Sequence, residues 1–187
     1  MSKIVEFRDR VIEEIRTKVP ELLNVDWYDG LFDEDDVKEW GGAAPSAYVA
    51  LLKTNATPHS TGEMLVDLAV VVVVVTQDGY SSRDADSQNW DFIERIAVLA
   101  KDNQFGDANA GIAAGIDFKR MRHPELRREG VAVGLVEWTS NLTIGVNKTQ
   151  RRNEILGIEG DPIGFPRNLT GRNRLASGGT DVTELGE

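Results

Sequence analysis

Hydrophobic positions near the start of the chain recur at helical spacing: Ile4, Phe7, Val11 and Ile15 step by 3, 4 and 4. Val5 and Ile12 widen the stripe, and Glu6, Arg10, Glu13 and Glu14 lie opposite. With 3.6 residues per turn these positions share one face, so residues 3 to 18 are predicted as an amphipathic helix. Ser2 suits its N-cap, and Pro20 stops it. The pattern then changes. Leu22 to Tyr28 has the alternating, aromatic content of a short strand, and Asp29-Gly30 is a turn signal. Leu31 to Trp40, with four successive acids at Asp33, Glu34, Asp35 and Asp36, reads as an acidic loop or short helix, and Ala47 to Lys53 after Pro45 as a second strand.

The strongest signal is Met64 to Thr76, where Val71 to Val75 follow Leu65, Val66, Leu68, Ala69 and Val70. Branching at Cβ favours the pleated backbone and disfavours helix. A run that does not alternate predicts a central or interfacial strand buried on both faces, by a helix layer on one side and a second helix or another subunit on the other. Asp78-Gly79 ends it, and a polar loop, Tyr80 to Asp86, follows. A second helix is predicted with Asp86 or Ser87 as its cap. Its core-facing residues are Trp90, Ile93, Ala97 and Ala100, joined by Ile96 and Leu99, and Asp91, Glu94, Arg95 and Lys101 face away. The Ala- and Gly-rich stretch Gly106 to Gly115 reads as a mobile loop. Ile116 to Met121 reads as a strand, and Val131 to Ile144, which alternates clearly, as a long one. The expected fold is α+β: a mixed, mainly antiparallel sheet packed by two helices, with an extended C-terminal arm.

Charge locates that arm. The chain of 187 residues has 31 acidic and 21 basic residues, a net of −10. From Val146 to Glu187 six basic residues balance six acidic ones, so the whole excess lies in residues 1 to 145. The last segment also holds seven glycines, and its apolar residues follow neither a period of 2 nor one of 3.6. Residues 1–145 are therefore read as the domain and 146–187 as an extended or disordered arm. Its short apolar groups, around Ile155, Leu156, Ile163 and Phe165, suit a segment that orders on a partner.

The acidic balance argues against general nucleic-acid binding, which needs clustered Lys and Arg. With no cysteine in the chain, disulfides, thiolate metal sites and Cys nucleophiles are excluded. The charged N-terminus lacks the apolar core of a secretory signal, and the most apolar stretch, Leu68 to Val75, has eight residues against the roughly 20 of a membrane span. No membrane association is expected, and synthesis in a cytoplasm is. His59 and His123 each adjoin a proline in a loop, far from any nucleophile pattern. The run Asp33 to Asp36 lacks the glycine and spaced carboxylates of a calcium loop, and no glycine motif matches a phosphate cradle. No residue is assigned a catalytic, cofactor-binding or metal-ligating role. Trp27, Trp40, Trp90 and Trp138 read as core or interface anchors.

In the order helix, strand, strand, long Val-rich strand, helix, strand, strand, the chain resembles the tail terminator (tail completion) proteins of tailed bacteriophages, in particular those of Mu-like phages. The features that carry the resemblance are the helix Ile4 to Val19, the Pro-Ser-Ala-Tyr-Val-Ala-Leu segment at Pro45 to Leu51 and the strand Gly62 to Thr76. The helix Trp90 to Ala100 and the closing Val136-Glu137-Trp138-Thr139 add to these. It covers about residues 3 to 145.

The resemblance implies a non-enzymatic virion protein at the head-proximal end of the tail, assembled in the host cytoplasm as a homohexameric ring. Such a ring caps the last ring of tail tube protein, stops tube growth and offers the docking surface for the head–tail connector or neck protein. In contractile tails it also touches the sheath. Genomic DNA passes through the lumen without specific binding, which an acidic wall assists. The candidate partner-interface residues are Trp27, Tyr28, Asp33, Glu34, Asp35, Asp36 and Trp40, with Ile155, Leu156, Ile163 and Phe165 of the arm. Two alternatives stay open: a connector or neck ring protein, and a small hydrolase using Asp67, Asp78 or Asp84.

Overall fold

The computed structural model describes residues 2–29, 42–78, 82–121 and 130–156. The elements are α1 (Lys3–Lys18), β1 (Asn24–Trp27), β2 (Ser46–Pro58), β3 (Glu63–Gln77), α2 (Ser82–Ala100), β4 (Ala114–Met121), β5 (Val131–Gly145) and α3 (Lys148–Leu156). The strands form one five-stranded sheet in the order β1-β2-β3-β5-β4. β1 runs parallel to β2, whereas β2–β3 and β4–β5 are antiparallel. The end of β3 meets the start of β5, where the Asp78 N–H donates to the Gly130 carbonyl at 3.2 Å, so these two also run in opposite directions. The α+β expectation holds, and the valine run occupies the central strand.

The chain divides into two compact units. In the larger one, Met1–Pro58 with Met64–Ile144, the sheet has two differently built faces. Val70, Val72 and Val74 point with Phe7, Val11 and Ile15 of α1 and Phe92, Ile93 and Ile96 of α2 into the main core. Val71, Val73 and Val75 point the other way, into a smaller cluster with Tyr48, Val131 and Val133, against which Tyr28, Met121 and Leu135 pack. Both helices thus lie on one face; of the two covers expected opposite, a second helix or another subunit, no helix lies there among the described residues. The opposite face is buried by aromatic and branched side chains of the sheet and its margins, which is why the valines need not alternate with polar residues.

Several boundaries differ from expectation for local reasons. Ser2 stands at the N-cap in extended conformation and its carbonyl accepts from Glu6 N–H at 3.0 Å, but its side chain makes no capping bond. The second helix starts at Ser82, one turn before the predicted cap, so Asp86 and Ser87 lie inside it. Its buried residues are Ala85, Asn89, Phe92, Ile93, Ile96, Ala97 and Ala100, which turns Trp90 off the core to 40% exposure. Asn89, a polar residue with no periodic signature, is fully buried. Its Nδ2 donates to the carbonyls of Val74 (2.9 Å) on β3 and Ala132 (3.3 Å) on β5. Glycine at 134 allows this approach, since a Cβ there would strike Ile93 and the Asn89 amide oxygen.

The stretch from Gly106 to Gly115, predicted as mobile, is anchored. Phe105 is buried between Phe7 and Trp138, edge-on to the first with centroids 6.0 Å apart and stacked on the second at 5.8 Å. Asp107 is buried and accepts from the Asn109 N–H (2.9 Å) and side-chain amide (3.0 Å), while Ala110 bridges to Leu142.

The second unit gathers the β2–β3 turn, His59–Glu63, with the chain from Gly145 onward. The arm does not begin extended: residues 148–156 form α3. Asn147 caps it, its Oδ1 accepting from the N–H groups of Thr149 and Gln150 at 3.0 Å each. Glu63 receives the Asn147 amide and the Thr61 hydroxyl, both at 3.0 Å, and Lys148 N–H donates to the Thr61 carbonyl at 2.8 Å. Gly62, at φ +91°, has no Cβ to collide with the Lys148 stem packed over it.

Candidate interaction surfaces

Trp27 ends β1, at one edge of the sheet, and is 52% exposed. The Arg8 guanidinium of α1 lies 5.0 Å from its ring centroid, a cation–π contact that props the indole at the surface. Leu23, just before the strand, is 76% exposed. Tyr28 turns inward instead: its N–H donates to the Val49 carbonyl at 3.1 Å and its ring packs on the smaller apolar cluster. Burial, aided by the charge of Asp29, pushes its phenol up to about 12. Tyr28 is thus a margin residue of the core rather than an exposed anchor. Tyr48, opposite Val73, is likewise buried.

At the other edge lies a surface that the sequence reading missed. Phe118 of β4 is half-exposed and meets Trp90 of α2 edge-on, with centroids 6.1 Å apart. The Arg120 guanidinium sits 5.9 Å from the Trp90 centroid, donates to Asn89 Oδ1 at 3.0 Å and pairs with Asp86. Lys119 bridges Glu137 (2.5 Å) and Asp117 (3.3 Å), and the hydrogen bonds it donates to both carboxylates hold its ammonium above the usual range. The sequence signal was present in the aromatic at 118, followed directly by the cations Lys119 and Arg120, but strand alternation alone does not say which face is left open.

Asp33, Glu34, Asp35, Asp36 and Trp40 lie outside the described residues, as do Ile163 and Phe165. Ile155 stands on α3, 75% exposed. Leu156 ends the same helix, and its side chain lies outside the description. The candidates Trp27 and Ile155 are therefore surface residues and Tyr28 is half-buried. The three acids offered for a hydrolase are scattered: Asp67 within β3, Asp78 just after it and Asp84 in the first turn of α2. Among the described residues no group of three or more His, Cys, Asp or Glu is placed to hold a metal ion, and no helix is long and apolar enough to cross a membrane.

Between the end of α1 and the outer side of α2 runs an open groove of about 410 Å³, lined by Val19, Val98 and Leu99 and by Asp91, Glu94, Arg95 and Lys18. Arg95 is held to one side by Glu21, donating to both its oxygens at 3.1 and 2.9 Å. The same hydrogen bonds keep the Glu21 carboxyl below the usual range.

No family model matches the chain, and no curated protein does. Among the solved structures that are similar to it, one has 12% identity and a TM-score of 0.43, covering 78% of this chain and 99% of the other.

Proposed function

We propose that this chain is a ring-forming tail terminator of a tailed bacteriophage, of the kind found in Mu-like phages. As such it caps the last ring of tail tube protein and presents the surface on which the head–tail connector docks; in a contractile tail it also touches the sheath. The observation that supports this best is the pair of unlike apolar patches at the two edges of one sheet. Leu23 precedes β1 and Trp27 ends it, and Phe118 lies in β4 against Trp90 of α2, with three strands between β1 and β4. A closed ring is a heterologous assembly in which one face of each subunit meets a different face of the next. Exposed aromatics beside a cation are the residue types that anchor such contacts. The net charge of −10 suits a lumen through which DNA must pass without sticking.

Native mass spectrometry and negative-stain images of the purified chain test the proposal. A closed ring is expected, and Trp27→Ala and Phe118→Ala should each open it while leaving the fold intact. Added to polymerising tube protein, the ring should shorten the tubes. A chain that stays monomeric at all concentrations overturns the reading. A ring that leaves tube length unchanged and binds portal moves the protein to the connector class.

A further inference from the structure

We infer that the groove between α1 and α2 receives helix α3 of a neighbouring copy, so that each subunit holds the next by its C-terminal arm. The inference deepens the ring reading and rests on it. Its starting point is the stripe on α3: Lys148, Arg151, Arg152 and Ile155 follow the spacing i, i+3, i+4, i+7 and therefore share one face. All four are exposed, and neither Arg151 nor Arg152 has a carboxylate partner among the described residues. Three like charges on adjacent turns disfavour a short isolated helix. A nine-residue helix carrying them is already marginal on length alone. An arriving counter-charge removes that conflict.

The outer stripe of α2 supplies it at the same spacing. Asp91, Glu94, Arg95 and Val98 also stand at i, i+3, i+4 and i+7. Laid parallel and in register, Lys148 meets Asp91, Arg151 meets Glu94 and Ile155 meets Val98, over the same rise of about 10 Å. Val98 is 66% exposed, large for a branched apolar side chain, and Glu94 has no cationic partner among the described residues. The one like-charge juxtaposition, Arg152 with Arg95, is relieved because Arg95 is already bound to Glu21 and, at 3.6 Å, to Asp91. The antiparallel alternative keeps one ion pair, Arg152 with Glu94, but sets Ile155 against Asp91 and Lys148 against Val98, and so loses the second ion pair and the apolar contact. Charge complementarity thus selects the partner, a second copy, and also the direction of the helix.

The absence of native cysteine makes the test direct. Val98→Cys protein mixed with Ile155→Cys protein under mild oxidation should give a covalent dimer, and neither variant alone should. Only a contact between copies produces that result. Separately, Lys148→Glu/Arg151→Glu should weaken self-association on the order of tenfold by sedimentation, and adding Asp91→Lys/Glu94→Lys should restore it. Circular dichroism of each variant checks that the fold is kept. Oligomers of the wild-type chain with no cross-link in the mixture, and no rescue by the charge swap, overturn the groove contact while leaving the ring reading standing. A wild-type chain that is monomeric overturns both.

Discussion

Replacing Val73 with Asp probes the central strand on the face turned away from α1 and α2. Val73 is fully buried, paired in register with Tyr48 and flanked by Val71, Val75, Val131 and Val133. Truncation to Ala removes two methyl groups and leaves a small void, which costs about 2 kcal/mol. Asp loses a similar contact area and adds an unpaired carboxylate in an apolar cluster, a penalty of several kcal/mol more. Together this reaches about 5 kcal/mol, comparable with the whole stability of a domain at the lower end of the usual range of about 5–15 kcal/mol. In urea, Val73→Ala should lower the midpoint with an unchanged slope, and Val73→Asp should leave little or no folded protein at pH 7. Burial raises the new carboxyl's pKa above its unfolded value of about 3.9, so the folded state holds the proton more tightly. The penalty should therefore shrink as pH falls toward that value and grow as pH rises through the folded-state pKa. A Val73→Asp protein with the wild-type midpoint at pH 7 would mean that this face is open to water and that the two-faced burial of β3 is wrong.

Burial pushes the Asp107 carboxyl up, but the two hydrogen bonds from Asn109, with the charges of Arg10 and Lys3, outweigh it and hold it below the usual range. Its contribution is present above the unfolded-state pKa and lost as pH falls through the lower folded-state value, so Asp107→Ala should cost about 1–3 kcal/mol at pH 7 and less in acid, measured by urea titration at both pH values. Tyr28, raised to about 12, keeps its proton to higher pH in the folded state, so its stabilising effect is constant below about 10 and is lost between 10 and 12. Ultraviolet titration should show a late phenol that Tyr28→Phe removes. Truncation after Gly145 should leave the thermal midpoint of the larger unit unchanged while reducing self-association by sedimentation; an unchanged association constant defeats the role given to the arm. Charge reversal of Asp33, Glu34, Asp35 and Asp36 to Lys should block docking on the tube if the loop lies on the rim, or retain DNA if it lines the lumen. Normal behaviour in both assays leaves it a solvated surface.

The elements that were legible from the pattern are those whose burial is one-sided and periodic. α1 carries its stripe on one face and β5 alternates, so each announces both its type and its inner side. The valine run announced a twice-buried strand, but not what covers it, because β-branched side chains look alike whether a helix or a sheet margin lies above them. Trp90 misled for a related reason. It keeps helical spacing with Ile93, yet the inner face rotates toward Asn89 and Phe92, and only the hydrogen bonds of a buried amide explain why a polar residue displaces an indole there. The candidate surfaces were half legible. An exposed Trp27 follows from an aromatic at the end of a short edge strand, whereas the Trp90–Phe118 pair joins residues 28 positions apart that only the sheet order brings together. α3 was missed because its stripe is cationic rather than apolar, and a search for hydrophobic period passes over it.

Apart from the parallel edge strand β1, the sheet consists of two antiparallel pairs, β2–β3 and β4–β5, that meet along β3 and β5. Each pair joins segments close in sequence and closes at small entropic cost, but the line between the pairs spans α2 and the loop after it. Asn89 ties this line from α2, reaching a carbonyl on either side of it. Assembly of the domain should therefore be governed by the late joining of two early hairpins, with α2 as the tether that limits the search. Asn89→Ala should slow refolding as well as speed unfolding if the amide is engaged at the barrier. If it acts only by speeding unfolding, the hairpins meet first and are stapled afterwards.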